Sequence, residues 1–219
     1  RNDEIVGFLS YKRNFRHKLG FHSASLTTNV ASNKGRKGYK FSLSGKMKKP
    51  IIKTPVTRIQ TTLFYHDIEQ DAVDSEIYDF GKFTTVHFGI NHRWNSNPLF
   101  SFSGGMHVTS GIEGGQFTKV SFRFSLYKRF TKNIKSNLRI WTGGFLDNTD
   151  VPIQYLTYLS GGVDPDFEEG SVHNRTETNN YRKVYHRQFV ADGPNLRGLL
   201  FGADEIPFSS NELVWAVNI

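Results

Sequence analysis

The sequence contains no cysteine, and this absence excludes disulfide bonds and thiolate metal sites. It also has no apolar run that approaches the ~18 consecutive residues of a membrane-spanning helix. Hydrophobic residues make up only 37% of the 219-residue chain, which is little for the core of a water-soluble domain of this size. These absences argue against a disulfide-stabilised domain and against a helical membrane protein.

Aromatic residues, by contrast, are abundant. They make up 14% of the chain, with 19 phenylalanines, and glycine occurs 20 times. Many aromatic residues combined with few aliphatic ones are unusual for a soluble domain. The mixture suits the wall of a membrane barrel, where one face of each strand meets lipid and the other meets water.

The main pattern in the chain is alternation with a period of two. Tyr39, Phe41 and Leu43 alternate with the polar residues that lie between them. Because successive side chains on a strand point to opposite faces, such a run has one apolar face and one polar face. The same alternation recurs at 86–93, 100–109, 119–127 and 213–219.

The alternation predicts nine strands, most of about 11 or 12 residues, whereas strands in soluble sheets usually have ~5–6 and membrane-crossing strands ~9–11. Strand length therefore favours a transmembrane β-barrel over a soluble sandwich. The predicted strands lie at 4–12, 17–28, 38–48, 55–66, 83–94, 98–109, 117–128, 134–145 and 211–219.

The predicted connections alternate between short and long, which is typical of a barrel with tight periplasmic turns and longer external loops. Short turns are predicted at 14–16, 50–55, 94–98 and 129–133, and longer loops at 29–38, 67–82, 110–116 and 147–210. The last of these is one long external or lumenal loop.

The sequence thus predicts an all-β, antiparallel transmembrane barrel region that covers 1–219 as a single unit. An open sheet of nine strands would leave backbone groups unpaired in hydrocarbon. We therefore expect this region to be part of a larger barrel, with strands missing at both ends.

The formal net charge is +8, and part of this charge lies on the polar faces of the predicted strands. A barrel with these polar side chains inside would have a wet, cationic lumen. The side chains expected to face the lumen are Lys40, His87, Arg93, Lys119 and Arg123.

The 147–210 segment contains two short motifs that resemble those of a known family of membrane barrels. It contains Leu159-Ser160-Gly161-Gly162 and then Leu196-Arg197-Gly198-Leu199, followed by the last strand. This layout resembles the end of the surface-antigen superfamily of outer-membrane barrels, which includes outer-membrane protein insertases and two-partner secretion transporters. Leu199 stands where the family motif has an aromatic residue. The same layout also resembles barrel domains fused behind gluzincin-type aminopeptidases.

The resemblance implies that Leu196, Arg197, Gly198 and Leu199 anchor the loop inside the lumen, with Arg197 against the barrel wall. It implies a function in outer-membrane protein assembly or polypeptide translocation. Two alternatives stay open, namely a membrane anchor for a separate peptidase domain and a pore or structural subunit of an outer-membrane complex.

The expected partners are outer-membrane lipid, lipopolysaccharide and other outer-membrane or periplasmic proteins, including lipoproteins. We expect no catalytic residue, metal or cofactor in this region, since the eight histidines form no His-Glu-x-x-His motif. Nucleic-acid binding is not expected either, because the basic residues lie mostly at turns and loops and the aromatic residues mostly on the opposite strand face. The expected location is the bacterial outer membrane.

Overall fold

The computed structural model describes residues 7–16, 21–33, 35–47, 55–70, 79–97, 99–158, 194 and 209–218. Regular structure in these ranges is almost entirely β-strand, and a 3-10 turn lies at Ile153–Tyr155. No helix there has the length and apolar character that a membrane crossing requires. The strands are β1 (Gly7–Arg16), β2 (Ser23–Asn33), β3 (Arg36–Lys46), β4 (Val56–Ile68), β5 (Gly81–Asn97), β6 (Phe100–Glu113), β7 (Thr118–Arg129), β8 (Lys135–Asp147), β9 (Thr157–Tyr158), β10 (Ser209–Ser210) and β11 (Val214–Asn218).

Nine of these strands form one antiparallel sheet, in the order β1 to β8 followed by β11. Each of β1 to β8 pairs with its neighbour in sequence, while β11 returns to pair with β8. β9 and β10 form a separate two-stranded ribbon within the connection from β8 to β11. The all-β, antiparallel prediction is confirmed, and the described sheet is open, with β1 and β11 as its edges.

The strands are long, as the alternation predicts. β1 has 10 residues and β5 has 17, and the other strands from β2 to β8 fall between these lengths. Only β11, with five residues, has a length that is ordinary for a soluble sheet.

On this sheet many polar side chains are buried and many apolar side chains are exposed, which is the reverse of the usual arrangement in a water-soluble protein. Tyr39 and Phe41 are 52% and 48% exposed, whereas Lys40 and Ser42 between them are each only 7% exposed. The face that carries Lys40 is termed the inner face and the face that carries Phe41 the outer face. Buried polar residues on the inner face are Lys40, Ser42, Thr62, His66, Thr85, Thr109 and Lys119. Exposed apolar residues on the outer face include Leu9, Tyr11, Val30, Tyr39, Phe41, Leu63, Phe122, Phe124, Ile140, Trp215 and Val217.

The first turn differs from the prediction. The turn predicted at 14–16 is wrong, because Asn14, Phe15 and Arg16 continue β1 and pair with Ser25, Ala24 and Ser23. Polar residues occur on both faces of this edge strand, so the sequence pattern weakens there. Backbone pairing needs no apolar side chains, and the ladder therefore continues past the last clear alternation.

Two predicted long loops are also wrong. Within 29–38, β2 and β3 stay paired as far as Asn33 and Arg36, and Gly35 turns the chain with a φ of 76°. Within 110–116, β6 continues to Glu113. Polar residues at strand ends suggested loops, but these residues remain in the ladder. Short connections therefore occur at both ends of the sheet, and loop length separates the two ends less clearly than predicted.

Gly114 provides a test of this revised connection between β6 and β7. Its φ is +77°, and an added Cβ would overlap the Lys82 carbonyl oxygen and lie 2.6 Å from Phe83 Cδ1. Overpacking and a positive φ each cost about 1–3 kcal/mol. We expect Gly114→Ala to lower the free energy of unfolding by about 2 kcal/mol or more, measured by urea unfolding in detergent.

Gly104→Ala is the matched control, because the nearest heavy atom to its added Cβ is the Arg123 carbonyl oxygen at 3.8 Å. Equal stability of the two variants would contradict the described geometry of this turn.

Candidate functional site on the inner face

The five side chains that the sequence predicts to face a lumen all lie on the inner face. Lys40 is on β3, His87 and Arg93 are on β5, and Lys119 and Arg123 are on β7. His87 and Lys119 belong to one row of paired residues, since each of them pairs with Thr109 of β6. The structure therefore brings these residues to one surface, although they come from three strands.

Hydroxyl groups form a hydrogen-bonded layer across the middle of the inner face. The Thr62 hydroxyl donates to Ser42 Oγ at 3.0 Å, and Gln60 Nε2 donates to Thr62 Oγ1 at 3.2 Å. Polar side chains that are buried in this way need partners, and neighbouring strands supply them. The inner face thus carries a connected polar layer, and buried Phe64, Phe83 and Trp141 lie on the same face beside it.

His87 lies at the centre of this layer. Its Nδ1 and Nε2 atoms lie 3.1 Å from the hydroxyl oxygens of Thr109 and Thr85, respectively. The Phe64 ring meets the imidazole edge-on at 5.1 Å, and the Lys40 ammonium lies 4.9 Å from the centre of the same Phe64 ring. Both ring nitrogens of His87 are therefore engaged with protein groups.

The chain after β8 folds back over one end of the inner face. Lys119 Nζ donates to the Tyr155 carbonyl at 3.1 Å and to the Leu156 carbonyl at 3.4 Å. The Tyr155 ring packs on Phe117 with 4.9 Å between centroids, and each of these two residues is only 2% exposed. Lys119 thus holds a folded segment instead of facing open solvent.

Asp79 secures the same segment from the start of β5. Its Oδ2 accepts from the Ile153 backbone N–H at 2.7 Å, and its own N–H donates to Gln154 Oε1 at 3.1 Å. The 153–157 stretch is therefore tied to β7 and to Asp79, which lies two residues before β5. This stretch is termed the inner segment.

Pro194 is the described residue nearest to the predicted loop anchor. It is fully buried, and its carbonyl accepts hydrogen bonds from Asn218 Nδ2 at 3.1 Å and Arg139 Nη1 at 3.5 Å. Arg139 and Asn218 pair across β8 and β11. The predicted anchor itself, at Leu196, Arg197, Gly198 and Leu199, lies outside the described residues.

A row of basic residues near the other end of the inner face was missed in part by the sequence analysis. Arg16 of β1 pairs with Ser23 of β2, Ser23 pairs with Lys46 of β3, and Lys46 pairs with Arg58 of β4. Arg16 lay in a predicted turn, and Arg58 was not selected. The alternation of Arg58 with Thr57 and Ile59 was the signal that could have placed it on the inner face.

His87, His92 and His107 have hydroxyl or amide groups as their neighbours. In the part of the chain that the structure describes, no three His, Asp or Glu side chains come close enough to hold a metal ion. His107 faces Asn91 Oδ1 at 3.3 Å, and His92 lies on the outer face beside the Thr57 hydroxyl at 3.0 Å. What the inner face offers is hydrogen bonding and positive charge.

Lys119→Met tests whether the inner segment depends on this lysine. Methionine preserves much of the side-chain volume but leaves the Tyr155 and Leu156 carbonyls without the ammonium donor, at a cost of about 1–3 kcal/mol. We expect faster hydrogen exchange and faster proteolytic cleavage within 150–158.

Lys128→Met, on the outer face of the same strand, serves as the control and should leave both rates unchanged. Equal protection of the inner segment in the two variants would show that Lys119 does not hold it.

Comparisons with known protein families, with curated proteins and with solved structures found no match to this chain. What the chain does is therefore argued from the two faces of its sheet and from the residues that they present.

Proposed function

We propose that this chain forms part of the wall of a transmembrane β-barrel in the bacterial outer membrane. In this proposal the outer face of the sheet contacts the hydrocarbon of the bilayer, and the inner face lines a water-containing lumen. Each of β1 to β8 has at least 10 residues, which reaches or exceeds the ~9–11 residues that a tilted strand needs to cross a bilayer.

The observation that carries the proposal is the reversed arrangement of apolar and polar side chains. Phe41, Leu63 and Phe122 are 48%, 43% and 49% exposed on the outer face. At these exposures each side chain forgoes roughly half of the ~1.5–3 kcal/mol that full burial away from water would provide. A lipid environment removes this cost, because the exposed face then meets hydrocarbon.

The same reversal explains the composition of the inner face. Lys40 and Lys119 are 7% and 9% exposed, which is rare for lysine in a soluble core. Inside a barrel these positions lie beside a wet lumen and hydroxyl-rich neighbours, so burial does not require an apolar surrounding.

The open edges set a further requirement. Backbone N–H and C=O groups in hydrocarbon must all be hydrogen-bonded, so a stable barrel has no free edge. The proposal therefore includes additional strands that connect the outer edge of β11 to the outer edge of β1. These strands complete the barrel.

Within this proposal, the surface-antigen resemblance assigns the barrel to outer-membrane protein assembly or polypeptide translocation. The contacts of Tyr155 and Pro194 hold these two points of the chain between β8 and β11 against the inner face. An inward connection is what the resemblance implies for the segment that carries Arg197. Lipid and lipopolysaccharide are then the partners of the outer face.

Phe122→Arg tests the proposed lipid contact. Phe122 lies on β7 and pairs with Met106 and Thr142 on the outer face. An arginine that faces lipid near the middle of the bilayer costs about 2–4 kcal/mol. We expect this variant, made in the complete barrel that includes the closing strands, to lose folding yield in lipid vesicles, measured by the heat-modifiable migration of the folded form on detergent gels.

Asn133→Arg, in the exposed turn between β7 and β8, adds the same charge outside the proposed bilayer and should fold normally. A wild-type chain that remains a water-soluble monomer, or a Phe122→Arg variant that folds as well as the control, would exclude the membrane wall.

A further inference from the structure

On the described strands, the inner face carries basic side chains and no acidic ones. Among strand residues whose side chains the structure describes, every lysine, arginine, aspartate or glutamate that the register places on this face is basic. The acidic strand residues Asp67, Glu113 and Asp147 pair instead with outer-face positions. The basic inner-face residues are Lys12, Arg16, Lys40, Lys46, Arg58, Arg93, Lys119, Arg123, Arg129, Lys135 and Arg139.

These basic residues differ in their contacts, and some of them already bind other groups of the protein. Lys119 holds the inner segment, and Lys40 is buried over Phe64. Arg129 donates to the carbonyls of Thr131 and Lys132 at 3.0 Å and so closes the turn after β7. The remaining basic residues near that end of the sheet are exposed or half-buried, and the register gathers several of them into one row.

This basic row runs across the strands from β1 to β7. It contains Arg16, Lys46 and Arg58, and it continues through Asn91 and Gly105 to a fourth basic residue, Arg123. The row therefore runs from strand to strand across the sheet, and neighbouring strands lie ~4.8 Å apart.

Lys46 and Arg58 are the most informative pair in the row. They are direct cross-strand partners on the same face, and their neighbours along each strand are neutral, with Ser44 beside Lys46 and Gln60 beside Arg58. Like charges at directly opposed positions repel one another, and such pairs destabilise a sheet. An anion bound between the two cations would turn this repulsion into attraction.

We propose that this basic row binds small oxyanions, namely solutes that carry a phosphate or carboxylate group and enter the lumen. The inference rests on the proposed function, because water and solutes must reach the inner face. Guanidinium groups present planar pairs of N–H donors that match both oxyanions, and rings of Arg and Lys are the usual selective element of anion and phosphate pores.

Inorganic phosphate is the probe that tests the row. Titration calorimetry on the folded protein in a non-ionic detergent at low ionic strength should detect binding that weakens as chloride is added, because salt screens the attraction. In Lys46→Gln/Arg58→Gln we expect the affinity for phosphate to fall at least about ten-fold, since two charge-assisted donors are lost.

Lys128→Gln/Lys132→Gln is the matched control. It removes the same charge at the same end of the sheet, from the outer face and from the adjoining turn, and should bind phosphate as the wild type does. Lys46→Arg keeps the positive charge and should bind phosphate as the wild type does, which would show that the charge at this position, rather than the lysine itself, supports binding.

Absence of phosphate binding to the folded wild type would overturn the inference, and so would equal losses in the two double variants. Heat-modifiable migration of the same samples reports on the barrel independently of phosphate. A sample that migrates as a folded barrel but binds no phosphate refutes the basic row alone, whereas a water-soluble chain refutes the proposed function.

Discussion

The structure depends on one constraint, which is that paired β-strands must place successive side chains on opposite faces. Long antiparallel ladders hold β1 to β8 in register, with irregularities only near the ends of the β5–β6 and β7–β8 pairs, so the period of two in the sequence becomes two surfaces of different character. Most basic and hydroxyl groups lie on one surface together with the buried Phe64, Phe83 and Trp141, and the exposed aromatic and aliphatic groups lie on the other. The membrane proposal and the basic row both follow from this separation.

Strand number, approximate strand position and the assignment of faces could be predicted from the sequence, because the alternation is local. Tyr39 and Lys40 lie on opposite faces whatever the rest of the chain does. The turns were predicted less accurately than the strands. Asn33 and Arg36 are polar and read as loop residues, yet backbone pairing holds them in a tight turn that Gly35 closes.

The candidate site depends on register between strands that are distant in sequence, and that information is not local. Arg16 and Arg123 enter one row only because every intervening pair keeps its alignment. The hydrogen bonds from Lys119 to the inner segment likewise require a fold that returns the chain after β8 to the sheet. Alternation indicated that Lys119 is on the polar face, but it could not indicate that Lys119 binds the Tyr155 and Leu156 carbonyls.

Depth-dependent quenching of tryptophan fluorescence by lipids brominated in their acyl chains tests the central claim most directly. Trp215 is 73% exposed on the outer face, whereas Trp141 is 2% exposed on the inner face. In single-tryptophan variants folded into vesicles, the account predicts strong quenching of Trp215 and little quenching of Trp141. Equal quenching of the two residues, or quenching of Trp141 alone, would contradict an outer face that lies in hydrocarbon.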